Sequence, residues 1–412
     1  MNETNLLAGG YRWMVILLAV TMTTTAVAST AHLPQPWRSD AVVLGRDEAY
    51  NTERFLHALT FRHRRMLPSA TDNGIRGTAG SVSSRRLFFD FRFRQDFDLR
   101  KGHNGFLLDI QRGEDLDGAY QRQLVGFRQN IGKRTEIWLQ GDVFSDKAES
   151  DIYLSARHHL TERNWLHASL ILPDYYFNNK TDTSDRFASE PRSWFLQWHR
   201  QGDTETEGTT LSVNLSPDSR FASQSQALTV SNDSQRAAIT HWQRSGDWLF
   251  GLHLEGEHTR RNYWLQEPDG DVTTRFERDH IQVRGKATLT SHRLLPTAGL
   301  AWLQLDETGF FGRALNDQGD IRRREPTVFA EVTFSATPNT TVSPGVYLST
   351  PDIRQSFAHG RDRRHTGFTG KLTLPIETRL SATHQAVLTL NPTFYLHKLG
   401  FGGGNLQLHW PL

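Results

Sequence analysis

Residues 87–99 read LFFDFRFRQDFDL, and their side chains alternate between apolar and charged. Apart from Gln95, the odd positions carry only leucine and phenylalanine: Leu87, Phe89, Phe91, Phe93, Phe97 and Leu99. The even positions after Phe88 are all charged: Asp90, Arg92, Arg94, Asp96 and Asp98. Because successive side chains of a β-strand point to opposite faces, this stretch predicts a strand with one apolar face and one charged face.

The same period of two recurs along the rest of the chain. Apolar residues occupy every second position, with polar residues between them, in six further stretches: 211–215, 248–255, 281–289, 327–335, 368–376 and 386–396. A single alternating run is a weak signal, because short runs of this kind occur in any β-sandwich. So many of them, separated by turn-forming Gly, Asn, Asp and Ser about every ten residues, predict an all-β chain.

Composition excludes several classes of protein. The chain has 412 residues, of which 37% are hydrophobic, and a mean hydropathy of −0.55. After the first thirty residues, no segment approaches the roughly 20 consecutive apolar residues that a transmembrane helix needs. Cysteine is absent, which excludes disulfides and thiolate metal sites. The formal net charge of +2 is too small to indicate binding to nucleic acid.

The N-terminal segment predicts export from the cytoplasm. Residues 1–28 have the parts of a secretory signal peptide: Arg12, an apolar core over 14–20, and the small-residue cleavage site Ala26-Val27-Ala28. Residues 29–82 are less regular. Residues 39–65 are interpreted either as an amphipathic helix, with Val43, Tyr50, Phe55, Leu56 and Leu59 near one face, or as containing a first strand in which Phe55, Leu59 and Phe61 alternate with other residues. We favour a small periplasmic or lumen-plugging segment for 29–82. The remaining residues, 83–412, form the predicted β-sheet.

The C-terminus carries a resemblance to a known class. Leu406, Leu408, Trp410 and Leu412 are apolar at every second position up to the last residue. In this the chain resembles the terminal strand of Gram-negative outer-membrane β-barrel proteins of the porin-like kind, although that pattern usually ends in Phe or Trp. The resemblance implies an outer-membrane location and recognition of this strand by the barrel assembly machinery. With the strand count, it predicts a closed antiparallel transmembrane β-barrel of about 16–18 strands.

The connections between strands are predicted to differ in length at the two ends of the barrel. We expect long connections over 258–274, 307–326 and 351–365, and short turns at 245–246 and 338–339. The long connections contain basic clusters: Arg260 and Arg261, Arg322 to Arg324, and Arg361, Arg363, Arg364 and His365. These clusters are predicted either to gather an acidic solute or polysaccharide, or to bind the phosphates of lipopolysaccharide in the outer-membrane lipid.

The inward face predicts an arginine-rich lumen. Only seven of the 47 basic residues are lysines. The residues predicted to line the pore are Asp90, Arg92, Arg94, Arg122, Arg128, Arg157, His199, His253, Glu255, Arg278, His280, Arg284 and Lys286. Facing arrays of arginines and carboxylates create transverse fields that favour small ions and sugars, and an excess of arginine favours anions.

One cluster of this set offers an alternative chemistry. His253, Glu255 and Glu257 point inward from one strand, and Arg278 and His280 from the next. An antiparallel register is then expected to place His253 beside His280 and Glu255 beside Arg278. A His/Glu cluster either binds a metal ion or acts as a general base, whereas a Glu–Arg ion pair with neighbouring histidines needs no chemistry. The sequence favours the ion pair, because no serine accompanies these histidines in a lipase-like motif. It predicts no catalytic residue, metal ion or cofactor.

Three functions remain open at this point. The first is a channel for small hydrophilic, preferentially anionic solutes. The second is a barrel that exports or assembles an acidic surface polysaccharide, held by the arginines. The third is an outer-membrane barrel hydrolase that uses the His253 cluster. The first is the function that the sequence predicts, without enzymatic activity.

Overall fold

The protein is described by a computed structural model. The residues that the structure describes are 73–81, 87–100, 103–114, 119–143, 150–173, 175–176, 178, 186–204, 206–223, 227–266, 270–291, 293–311, 318–357, 360, 362–380, 386–396 and 400–412. The predicted signal peptide over 1–28 lies outside them, as does 29–72 of the following segment. Within these ranges, no helix has both the length and the hydropathy to cross a membrane.

All regular structure in the described ranges is β-strand, in 23 segments that belong to one sheet. They are β1 (Gly74–Ser81), β2 (Leu87–Arg100), β3 (Asn104–Glu114), β4 (Ala119–Ile131), β5 (Thr135–Asp142), β6 (Ile152–Thr161), β7 (Asn164–Leu172), β8 (Arg186–Ser189), β9 (Ser193–Gln201), β10 (Gly208–Ser223), β11 (Leu228–Ser245), β12 (Trp248–Leu265), β13 (Val272–Leu289), β14 (Leu295–Phe311), β15 (Gln318–Thr337), β16 (Thr340–Val342), β17 (Gly345–Ser349), β18 (Asp352–Phe357), β19 (Arg363–Thr366), β20 (Thr369–Thr373), β21 (Ile376–Arg379), β22 (Val387–Tyr395) and β23 (Gly400–Pro411).

Three of the barrel strands are interrupted, so the 23 segments make 18 strands. β8 and β9 both pair with β10 and form one strand, β16 to β18 form a second along β15, and β19 to β21 form a third. Every pairing is antiparallel. The predicted fold, a closed antiparallel barrel of 16–18 strands, is therefore confirmed at the upper end of its range.

The barrel closes where the first strand meets the last. β1 pairs with β2 on one side and with β23 on the other, with Gly74 opposite Pro411 and Ser81 opposite Gly404. The backbones approach closely at this seam. A methyl group added at Gly80 would therefore collide with the carbonyl oxygen of Gly404. Closure leaves no sheet edge, which is the requirement for a β-sheet in hydrocarbon, where an unpaired backbone group is very costly.

The two faces of the sheet differ as the alternation predicts. Large apolar side chains are exposed on the outside, among them Phe91, Leu139, Leu154, Leu300, Trp302, Val328, Leu390 and Leu406. The inner face carries the buried polar side chains, such as Arg92, Gln140, Ser155, His253, Thr327 and Asn391. In β2 the odd positions face out and the even positions face in. An apolar exterior around a polar interior is the arrangement of an outer-membrane barrel.

The barrel begins earlier in the chain than its predicted boundary at residue 83. Its first strand, β1, covers Gly74–Ser81 and lies inside the segment 29–82. The strand shows no alternation in hydropathy, because its sequence GIRGTAGS has small residues on both faces. The alternative first strand, with Phe55, Leu59 and Phe61, lies outside the described residues.

The predicted long connections are largely strand. β12 runs to Leu265 and β13 starts at Val272, so most of 258–274 is paired backbone. β14 and β15 likewise take up most of 307–326, and β18 and β19 occupy much of 351–365. The prediction of long loops was wrong because most outward side chains of these extensions are polar or charged. The hydropathy contrast between the two faces is therefore lost, although the backbone pairing continues. The short turns do lie at 246–247 and 338–339.

The basic clusters assigned to those loops therefore sit on strands. On the outer face, Arg260 pairs with Asp233 at 2.9 Å, and Arg324 pairs with Asp306 at 2.9 Å. Arg364 pairs with Asp352 at 3.0 Å. Arg323, between two outward arginines, points inward instead. Arg361 lies outside the described residues. A ring of ion pairs thus continues the outer face beyond the apolar band.

Candidate functional site: the lumen wall

The first feature of the lumen wall is a row of basic residues across five neighbouring strands. The backbone register aligns His409 on β23, Arg76 on β1, Arg92 on β2, Gln111 on β3 and Arg122 on β4. We call these five residues the basic row. Arg122 is assigned by its backbone position alone. The sequence identified Arg92 and Arg122 but missed Arg76 and His409, because only the closed seam brings them into the row.

Carboxylates lie above and below the basic row and none lies within it. Asp109, on β3, is fully buried and accepts a hydrogen bond of 2.9 Å from the Nε of Arg92. A second hydrogen bond from Arg92 Nη2 makes this ion pair bidentate, which is the strong geometry for arginine and carboxylate. Arg94 approaches the same carboxylate at 3.8 Å, and Gln111 donates to it at 3.3 Å. The predicted inward residue Asp90 faces Thr78 across the next row.

Arg128 extends this region toward the turn end of the barrel. Its Nε lies 2.9 Å from Asp96, and its Nη2 donates to Asp98. Both acids belong to the alternating stretch 87–99 in β2. The structure thus pairs Arg128 with two carboxylates, so that this residue adds no local excess of positive charge.

Arg157 lies between two tryptophan rings. Its guanidinium carbon is 5.2 Å from the centre of Trp138 and 5.5 Å from that of Trp165. The ring of Trp165 also stacks on the imidazole of His199 at 5.0 Å. Cation–π contacts of this kind hold an arginine in place. The carboxylate of Glu136 also lies 3.8 Å from Arg157 Nη1, so the guanidinium has an acidic neighbour as well. The sequence predicted Arg157 and His199 on the lumen face, but the two rings that position them were missed because their strands β5 and β7 were not aligned.

A second region of the wall is rich in acids. We call it the acid-rich wall, and it consists of Glu255 and Glu257 on β12, Glu307 on β14, and Glu325 and Glu331 on β15. Glu255 pairs with Arg236 at 2.9 Å, and Glu307 with Arg278 at 2.6 Å. Glu325 is fully buried and forms an ion pair with Arg323. It also accepts a hydrogen bond of 2.5 Å from the hydroxyl of Ser349. Glu331 accepts from the hydroxyl of Tyr347.

The register within this wall differs from the expected one. His253 stands opposite Arg284, and Glu257, not His253, stands opposite His280. Glu255 is opposite Gln282, and Arg278 is opposite Thr259. The expected pairs His253–His280 and Glu255–Arg278 were wrong because β12 runs to Leu265 and β13 begins at Val272, so that the two strands pair over all 18 residues of each. Arg236 was missed, since its pairing with Glu255 depends on strand register. Glu307, Arg323 and Glu325 were missed because 307–326 was predicted to be a long connection, whereas these residues lie on β14 and β15.

The remaining predicted residues lie on the same inner face. Arg284 is buried on β13, and Lys286 follows two residues later, opposite Gly251. All thirteen residues predicted to line the pore occupy inward register positions. That they line a conducting path remains a prediction.

Comparison with known proteins finds distant structural likenesses only. No protein-family model and no curated protein matches the chain. OccK2 (OpdF) of Pseudomonas aeruginosa is 13% identical with a TM-score of 0.40, over 82% of this chain and 97% of that one. A BenF-like porin from Pseudomonas fluorescens Pf-5 is 12% identical with a TM-score of 0.42, over 83% of this chain and 98% of that one. A loop L8 deletion mutant of OmpT of Vibrio cholerae is 10% identical with a TM-score of 0.37, over 82% of this chain and 97% of that one.

A likeness this distant identifies neither a family nor a solute. The architecture rests on the chain's own geometry: a closed antiparallel barrel with lipid-compatible side chains outside and buried polar side chains inside. By its own geometry, the chain is a closed antiparallel β-barrel with the apolar exterior and polar interior that are typical of outer-membrane barrels.

Proposed function

We propose that the barrel is a channel for small hydrophilic solutes and prefers anions. The observation that carries this proposal is the basic row. Four of its five residues are basic: His409, Arg76 and Arg92 lie on adjacent strands, and the backbone position of Arg122 follows beyond Gln111. A solute that passes this part of the wall meets positive charge at one level of the lumen, which raises the local concentration of anions.

The size of the barrel supports a channel. Barrels of about 16–18 strands are wide enough to leave an aqueous path after their inward side chains are placed. The 18 strands of this barrel put it in that range. The acid-rich wall supports the preference in a different way: four of its five acids are held by an arginine or by the hydroxyl of Tyr347, so they oppose the basic row less than a count of carboxylates suggests.

The proposal is tested by the rate at which solutes enter protein-containing liposomes. Glucuronate and glucose are a suitable pair because they have nearly the same size and differ in charge. We expect glucuronate to enter faster than glucose, and Arg76→Gln to reduce that ratio. Arg76 is chosen because its replacement leaves the ion pair between Arg92 and Asp109 intact.

The matched control is Arg324→Gln, which removes the same charge from the outer face. It should leave the ratio unchanged, because Arg324 pairs with Asp306 outside the lumen. Equal entry of glucuronate and glucose into wild-type liposomes would contradict the anion preference. Entry of neither solute, with conductance appearing only when residues 29–72 are deleted, would favour the export of an acidic polysaccharide. Hydrolytic activity that is lost in His253→Ala would favour the barrel hydrolase.

A further inference from the structure

A cluster of metal-ligating side chains lies where β12 pairs with β13, inside the acid-rich wall. Glu255 and Glu257 are two residues apart on β12 and therefore share the inner face. His280 on β13 stands directly opposite Glu257. One ligand atom from each of these three residues lies within 4.8 Å of the other two. Glu255 and His280 are buried, and Glu257 is half-buried.

The imidazole of His280 has the surroundings of a ligand and lacks those of a structural histidine. Its side chain is only 5% exposed, yet no described residue forms a hydrogen bond with it. A buried polar group without a partner costs free energy, so native proteins rarely keep one. A carboxylate oxygen of Glu255 and one of Glu257 each lie within 4.8 Å of an imidazole nitrogen of His280. A cation held between them and the imidazole would satisfy all three.

The carboxylates differ in how they are held. Glu255 is fixed by Arg236 at 2.9 Å. Glu257 forms no ion pair with any described residue and accepts only the hydroxyl of Thr259, at 3.3 Å. Since every other acid of the acid-rich wall is held by an arginine or by the hydroxyl of Tyr347, Glu257 is the member whose charge is left for a cation.

His253 flanks the cluster on the same strand. Its Nδ1 lies 2.9 Å from the hydroxyl of Thr240, and its Nε2 is buried without a hydrogen bond. That Nε2 lies 3.5 Å from Glu255 Oε2, which is too long for a good hydrogen bond. His253 thus limits where the carboxylate of Glu255 can turn, and we assign it a positioning role.

We propose that Glu255, Glu257 and His280 bind a divalent transition-metal ion, for which Zn²⁺ is the best fit. One imidazole nitrogen with carboxylate oxygens is a usual zinc ligand set, at bond lengths of about 2.0–2.2 Å. Bonds of this length place tetrahedral ligand atoms roughly 3.4 Å apart, within reach of side-chain rotation from the present spacing. The imidazole makes Ca²⁺ and Mg²⁺ poor fits, because both prefer ligands that are all oxygen.

The metal site stands independently of the solute that the barrel passes. Two carboxylates neutralise the charge of the ion, while Arg236 holds Glu255 from outside the ligand set. The competing explanation is a direct ion pair between a protonated His280 and Glu257, with no metal. Both explanations use the same residues, and metal binding distinguishes them.

The test is a titration of the purified, tag-free full chain in detergent micelles after washing with a chelator. We expect one Zn²⁺ to bind per chain by calorimetry and by elemental analysis, and Ca²⁺ not to bind. His280→Gln and Glu257→Gln should each lose the bound Zn²⁺. The matched control is His199→Gln, another lumen histidine outside the cluster, whose Nδ1 lies 3.0 Å from the hydroxyl of Thr210. It should keep the bound ion.

Absence of stoichiometric Zn²⁺ binding by the wild type, or equal binding by His280→Gln, would overturn the proposal in favour of the ion pair. If the variants fail to fold, X-ray absorption of the Zn²⁺-loaded wild type still decides. We expect a shell of nitrogen and oxygen that contains one imidazole. A shell without an imidazole, or with several, would contradict the three-residue site.

Discussion

The two charged regions of the lumen wall are built differently, although both are rich in arginine. In the acid-rich wall, arginines and acids are matched closely: Arg236 with Glu255, Arg278 with Glu307, and Arg323 with Glu325. In the basic row, Arg76 and Arg92 stand side by side with no acid between them, and the bidentate ion pair of Arg92 is with Asp109 in the next row. This one buried carboxylate lies near both Arg92 and Arg94.

This difference shows that selectivity depends on local arrangement more than on composition. The net charge of the whole chain is only +2, which by itself predicts no preference between ions. A row that gathers basic residues at one level produces a field there, whereas matched pairs elsewhere largely cancel. The same difference predicts that single substitutions in the two regions have unequal effects on stability.

The largest loss of stability is expected in the acid-rich wall. Arg323→Met leaves the carboxylate of Glu325 buried and without its cation, because both side chains are fully buried. Removing one partner of a buried ion pair costs about 3–5 kcal/mol. Urea-induced unfolding from lipid vesicles measures this loss. The double variant Arg323→Met/Glu325→Leu is the control and should recover most of it, and equal instability of both variants would show that packing, not the lone charge, is responsible.

A smaller loss is expected beside the basic row. Arg92→Met removes the bidentate partner of Asp109, but Arg94 at 3.8 Å and Gln111 at 3.3 Å remain near that carboxylate. We expect a cost of about 1–3 kcal/mol in the same unfolding assay, since the buried acid keeps part of its hydrogen bonding. A loss as large as that of Arg323→Met would contradict the difference drawn between the two regions.

The smallest loss is expected on the outer ring of ion pairs. Arg324 and Asp306 are each about one-third exposed, at 35% and 29%. Exposed pairs of this kind contribute about 0.2–1 kcal/mol, and salt screens them. Arg324→Gln should therefore lower the free energy of unfolding by no more than this amount, and the difference should shrink at high salt. A salt-independent loss would indicate a buried pair.

The sequence predicts the faces of the barrel well because parity is local. In β2, the side chain at each position points opposite to its neighbour whatever the strand pairs with, so Phe91 faces out and Arg92 faces in. The closed barrel is predicted from many such strands in a chain that also has a predicted signal peptide. The strand total of 18 lies within the predicted range for the same reason.

Register and strand length are harder to predict, because they depend on partners far along the chain. The extension of β12 through Arg260 to Leu265 carries charged and polar outward side chains, so nothing in its hydropathy separates it from a loop. The pairing of Arg236 with Glu255 follows only from that extended register. Arg76 was overlooked because β1 consists mainly of small residues, and its place beside His409 exists only once the barrel closes.

The most direct test of the basic row is the reversal potential of single channels in planar bilayers across a KCl gradient. For the wild type, we expect a reversal potential between zero and the equilibrium potential of chloride. Arg76→Glu should shift the reversal potential toward the equilibrium potential of potassium, whereas Arg324→Glu, on the outer face, should leave it unchanged. A wild type that prefers potassium, or an unchanged potential in Arg76→Glu, would contradict the claim that this row sets the ion preference of the lumen.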